Sequence, residues 1–75
     1  MDAKYCEEYK VLGLNIAYYR SLKGLSQLQL AEQIDISRTH MTRIETGTSS
    51  GASLDVVFRI AEVLEVPVSK LFEKH

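Results

Sequence analysis

Apolar residues along this chain recur three or four positions apart, in short runs separated by polar breaks, and that spacing predicts five helices. From about Lys4 to Lys23, the residues Val11, Leu12, Ile16, Tyr19 and Leu22 recur at helical spacing, which gives a first amphipathic helix. Gly24 ends it, because glycine tolerates the left-handed conformation that closes helices. Ser26 then opens a second helix, about Gln27 to Ile34. With Gln29 three positions on it forms a capping box, and Leu30, Ala31 and Ile34 share one face. After a very short break at Asp35-Ile36, Ser37 is the N-cap of a third helix, about Arg38 to Thr46, closed by Gly47. Residues 47–52 form the only real loop. Ser53 caps a fourth helix carrying Leu54, Val57, Ile60, Ala61 and Leu64. Val56, Val63 and Val66 favour strand by propensity, but the spacing around them is helical. Pro67 ends that segment and opens a last short helix through Val68, Leu71 and Phe72. The expected fold is all-α, a compact five-helix domain.

Seventy-five residues are enough for one domain, 1–75, with residues 1–9 as an N-terminal extension and no room for a second core. A chain of this size buries a modest share of its surface, so help from a partner subunit is expected. The single cysteine, Cys6, has no second thiol for a disulfide or a metal site, which fits a reducing compartment. No basic stretch followed by an apolar run marks a signal peptide, and no run approaches the roughly 20 apolar residues that span a bilayer. A cytoplasmic protein without a membrane partner is expected. Nothing in the sequence suggests an enzyme: there is no paired His/Cys/Asp cluster, no phosphate-cradling glycine loop and no metal-ligand spacing. No cofactor, metal or small-molecule effector domain is expected, and His40 and His75 have no evident partner.

Charge changes the picture locally. The net charge of −1 argues mildly against nucleic acid, whose phosphates usually select a basic footprint. The middle of the chain differs from its ends. Residues 20–47 hold Arg20, Lys23, Arg38 and Arg43 against Glu32, Asp35 and Glu45, and residues 37–44 contain no acid at all.

Two short capped helices joined by a tight turn are the outline of a helix-turn-helix, residues 25–47. At about 100° per residue, with Arg38 at zero, Thr42, Thr46, Thr39 and Arg43 fall near 40°, 80°, 100° and 140°. Met41 and Ile44 fall on the opposite side. The third helix therefore has one continuous polar arc with two arginines, three threonines and no acid. Such a face suits the major groove, where arginine binds guanine O6 and N7 in pairs and threonine meets base edges and thymine methyls. A solvated surface face is the plain alternative, and the paired caps and short turn upstream favour the groove.

The run Leu25-Ser26-Gln27-x-x-Leu30-Ala31-Glu32, followed by Ile36-Ser37 and Ile44-Glu45-x-Gly47, resembles the phage repressor/Cro-type helix-turn-helix family. The likeness reaches back to Leu12-Gly13-x-x-Ile16 and Arg20, and forward through Ser53-Leu54 and Ile60-Ala61-x-x-Leu64 to Leu71-Phe72. It implies a five-helix fold with the third helix in the major groove. By position, Arg38, Thr39 and Arg43 match the family's base-reading residues. Gln27 matches a contact to a phosphate or the first base, and Thr46 and Thr48 match contacts to the DNA backbone. Ser37 and Thr42 are further backbone or flanking candidates. His40 lies on the arc's margin, where a flanking phosphate contact and plain solvent exposure are both open. Arg20 and Glu45 match a pair that forms a salt bridge between the first and third helices. Ser26 is read as a cap, and Tyr5, Tyr9, Tyr18 and Tyr19 as core or interface. Asp35 and Glu65 stand where the family often has glycine, and the 47–52 loop lacks the lysine or arginine of many relatives.

One domain reads too few base pairs to be selective, so a homodimer on palindromic double-stranded DNA is expected. Val66, Val68, Leu71 and Phe72 are the apolar candidates for its interface. The alternatives are a protein-interaction module of the same fold and the DNA-binding antitoxin partner of a toxin.

Overall fold

The computed structural model describes residues 3–48 and 52–74, and every regular element among them is helical. A single 3₁₀ turn, Ala3–Tyr5, leads into α1 (Cys6–Leu22), followed by α2 (Gln27–Gln33), α3 (Arg38–Thr46), α4 (Leu54–Leu64) and α5 (Val68–Leu71). The five-helix expectation holds. The first α-helix begins at Cys6 rather than Lys4, because Tyr5 at its N-cap supplies no side-chain cap. Three helices start on the serines read from the sequence. Ser26, Ser37 and Ser53 accept hydrogen bonds from the amides of Gln29, His40 and Val56 at 3.0, 3.0 and 3.2 Å. Each satisfies an amide that the helix itself leaves open.

The core is a single cluster built from α1 (Leu12, Ile16), α2 and its end (Leu30, Ala31, Ile34), α3 (Met41, Ile44), α4 (Val56, Val57, Ile60, Ala61, Leu64) and Leu71. Burial of these side chains stabilises the fold by roughly 1.5–3 kcal/mol for each large one. α1 contacts α3 most extensively, and α2 packs beside α3. α3 is thus held from two sides.

Three expectations from the pattern are corrected. Leu22 is 66% exposed, because α1 is apolar on more than one side and its buried stripe runs through Leu12, Asn15, Ile16 and Tyr19. Leu54 is 68% exposed, and Val56 occupies the core in its place, since the first residue of α4 precedes the turn that meets the body. Leu71, offered for a dimer interface, is fully buried; it closes the core beneath α1 and cannot reach a second subunit.

Asn15 accounts for the position of α5. Its amide nitrogen donates to the carbonyls of Leu71 and Glu73 at 2.9 and 2.8 Å, tying the chain end to the middle of α1. No described helix is long and apolar enough to cross a membrane.

Candidate nucleic-acid interface

Gln33 and Arg38 are separated by a turn whose pivot, Asp35, has φ 62°. Around it the Ile36 amide donates to Ala31 O at 3.0 Å, and the Asp35 amide to Glu32 O at 3.3 Å. These bonds reverse the chain in a left-handed cap that glycine usually supplies. Aspartate tolerates that conformation better than most residues. The turn is closed from outside by Arg59 of α4, whose Nη1 donates to Ile34 O at 2.6 Å while its other nitrogens hold Asp55. Arg59 was not legible as part of this site, because nothing in its local spacing points at a carbonyl 25 positions away.

α3 presents the arc that its sequence dictates. Arg38, Thr39, Thr42, Arg43 and Thr46 are exposed, and Met41, Ile44 and Glu45 are buried. His40 is half-buried, at the margin. Neither arginine has a carboxylate within ion-pair distance among the described residues. Ser37 is engaged as the N-cap. Thr42 Oγ donates to Arg38 O at 3.0 Å or to Gln27 Oε1 at 3.2 Å. Thr46 Oγ1 lies 3.0 Å from Thr42 O and 3.0 Å from Thr48 Oγ1. The hydroxyls are therefore ordered, and each keeps acceptor capacity toward solvent. Of the loop, Ser49, Ser50 and Gly51 lie outside the described residues.

Behind this face sits a buried polar cluster. Arg20 grips Glu45 with both ends of its guanidinium, Nε to Oε2 at 2.7 Å and Nη2 to Oε1 at 3.1 Å. Its Nη1 donates to Leu25 O at 2.8 Å. The planar fork matches a carboxylate in a way that lysine would not. Gln27 Nε2 also donates to Glu45 Oε1, at 2.9 Å. α1, α2 and α3 thus meet at one carboxylate, and Gln27 is held between Glu45 and Thr42 rather than extended as a lone surface contact. Sequence reasoning read Gln27 as a surface contact at the start of α2 and missed this tether.

Gly13 makes the packing possible. A Cβ built there would lie 2.3 Å from Glu45 O and 2.6 Å from Ile44 O, so α1 and α3 meet backbone to backbone. Gly47 ends α3 in the left-handed region, φ 72°, as its position predicted.

A capped helix, a tight turn and a second capped helix with a cationic, acid-free outer face define a helix-turn-helix unit. The helix-turn-helix family pattern matches residues 16–71. The chain is 32% identical over 63 residues to the HTH-type transcriptional regulator SlrR of Bacillus subtilis, covering 84% of this chain and 41% of the relative. It is 32% identical over 66 residues to SinR of the same organism, covering 87% of this chain and 60% of SinR. It therefore spans roughly half the length of these relatives. Among solved structures, the restriction-modification controller C.AhdI from Aeromonas hydrophila superposes with a TM-score of 0.81 at 27% identity, over 88% of this chain and 98% of that one. SinR in complex with DNA superposes with 0.76 at 29%, over 83% and 98%. The chain belongs to the phage repressor/Cro-type helix-turn-helix family of transcriptional regulators, and not to an enzyme family.

Proposed function

We propose that this domain binds double-stranded DNA in a sequence-specific way, as a cytoplasmic homodimer on a palindromic site, with α3 in the major groove. The observation that carries the reading is the exposed arc of α3, whose two arginines have no carboxylate partner among the described residues while the one acid of the helix, Glu45, is buried and neutralised. A SinR structure with DNA, 29% identical to this chain, supports the same use of the fold. Arg38, Thr39 and Arg43 read base edges. Gln27, Thr42, Thr46 and Thr48 contact or flank the backbone, with Ser37 and His40 at the helix's entry and margin. Arg20 and Glu45 hold the helix in place.

The dimer face is drawn from what α4 and α5 leave outside. Phe72 is 48% exposed, Phe58 54% and Leu54 68%, and Leu54 and Phe72 share the rim of one apolar cavity of about 250 Å³. Val66 and Val68 are half-buried against the core and contribute at the edge.

Selection of bound sites from a random DNA pool tests the reading, with a palindrome whose half-sites lie one helical turn apart as the expected result. Arg43→Ala is expected to cost about 1–3 kcal/mol at one base position and to relax preference there. Recovery of no enriched sequence, or an Arg43→Ala profile identical to the wild type, would overturn the assignment of the reading face.

A further inference from the structure

We propose that Lys10, on α1, is a DNA-phosphate contact that replaces the basic residue missing from the 47–52 segment. The inference rests on the DNA-binding reading above and adds a residue to it. Residues 47–52 read Gly-Thr-Ser-Ser-Gly-Ala, with no lysine or arginine. The end of the recognition helix would therefore meet the DNA backbone with hydroxyls and amides alone.

The packing of α1 supplies the cation. Gly47 is buried, and a Cβ built on it would lie 3.0 Å from the N, Cα and Cγ of Lys10. The lysine stem thus crosses the C-terminal end of α3. From there its flexible stem can carry the ammonium toward Thr46 and Thr48, the two neighbours of Gly47, whose hydroxyls stand 3.0 Å apart. These are the residues already read as backbone contacts.

Charge singles out the same residue. Arg20, Lys23, Arg59 and Lys70 each hold a carboxylate. Lys10, Arg38, Arg43 and Lys74 have none within ion-pair distance among the described residues, although Glu7 stands one turn before Lys10 on α1. Three of those four cations lie on α3 or against its end. Lys10 would thus add a positive charge at the end of the helix that carries Arg38 and Arg43. A lysine suits this position, since its flexible stem delivers a point charge to a phosphate without demanding base geometry. The competing role is local: a cation near a helix C-terminus also stabilises the helix dipole.

The test is the salt dependence of binding to a short random-sequence duplex, measured for the wild type, Lys10→Gln and Lys10→Arg, with thermal unfolding of each in parallel. Loss of one phosphate contact makes the slope of log K against log salt shallower by about 0.9. Lys10→Gln is expected to show that change with a several-fold weaker affinity at low salt, an unaltered sequence preference and little change in Tm, while Lys10→Arg retains the slope. An unchanged slope for Lys10→Gln, with or without a lower Tm, overturns the proposal and leaves only the dipole role. Absence of salt-dependent binding by the wild type itself overturns the DNA-binding reading, and Lys10 falls with it.

Discussion

Glu45 shows how one residue joins the packing of the domain to the face that it presents. Its carboxylate is nearly buried and receives Arg20 twice and Gln27 once. Removing it leaves a guanidinium that is 16% exposed with Leu25 O as its remaining partner. Breaking a buried pair by deleting one member costs about 3–5 kcal/mol, because the survivor's charge is stranded. Arg20 retains some solvent, so Glu45→Ala is expected to cost about 3 kcal/mol in urea unfolding. Gly13 offers a sharper contrast, since two physical effects disagree on the sign. Helix propensity favours Gly13→Ala by about 1 kcal/mol. The built Cβ, however, meets two main-chain oxygens of α3 at 2.3 and 2.6 Å, which no side-chain rotation relieves. Overpacking of this kind costs about 1–3 kcal/mol. The expected outcome is a net loss of stability, read as a lower urea midpoint; a higher midpoint would show that the helices separate easily. The Arg20–Glu45 pair was legible in the sequence only through family resemblance. The tether to Gln27 was not, because helical spacing assigns a residue to a face without saying what lies opposite.

At the scale of elements, α1, α2, α3 and α4 end in the same way. Each turns on a left-handed residue, Gly24, Asp35, Gly47 or Glu65. In each, the amide of the following residue reaches back five positions to the carbonyl of Arg20, Ala31, Arg43 or Ala61, at 3.0 to 3.1 Å. The residues after three of these pivots, Leu25, Ile36 and Val66, pack against the core, which fixes the exit direction. The ends were visible in the sequence wherever glycine marked them. Asp35 and Glu65 carry the same geometry without that signal, because the downstream apolar anchor and the hydrogen bond outweigh the local strain. Glu65, at φ 58°, bears the larger penalty. A left-handed L-residue costs roughly 1–2 kcal/mol, while glycine loosens the unfolded chain by about 0.4–1 kcal/mol. The ion pair from Lys23 to Glu65 is largely exposed and contributes little. Glu65→Gly is therefore expected to stabilise the domain by about 0.5–1 kcal/mol, measured as a raised urea midpoint with unchanged slope. Asp35→Gly should gain less, since aspartate accepts the left-handed region more readily. The caps Ser26, Ser37 and Ser53 were legible because a cap is local. Arg59 on Ile34 O and Asn15 on Leu71 O join elements 25 and 56 positions apart, a distance over which periodicity carries no information.

For the whole molecule, the proposed homodimer raises the question of which apolar surface would meet a second subunit. Reading by residue type chose Leu71, which the core absorbs, and counted Leu22 and Leu54 in the apolar spacing of the first and fourth helices, although the fold leaves both outside. The error has one origin: α1 and α4 carry more apolar positions than one packed stripe can use, so spacing alone cannot rank them. The geometry does rank them. Leu54 and Phe58 lie one turn apart on the outer side of α4, and Phe72 stands across the apolar cavity from Leu54. None of the three lies on α3, so the proposed two-fold contact would be made by other elements than the one that carries the arginines. Phe58→Glu combined with Phe72→Glu introduces like charges into that contact, on side chains that are about half exposed in the monomer and contribute little to folding. The expected result is a folded monomer with unchanged helical circular dichroism and a lower sedimentation coefficient. Its affinity for a full palindrome should fall by about a hundredfold or more, because each half-site loses the effective concentration supplied by its partner. Affinity for a single half-site should stay close to that of the wild type. A variant that remains dimeric in sedimentation would move the interface elsewhere, with the exposed Leu14–Tyr18–Leu22 flank of α1 as the next surface to alter.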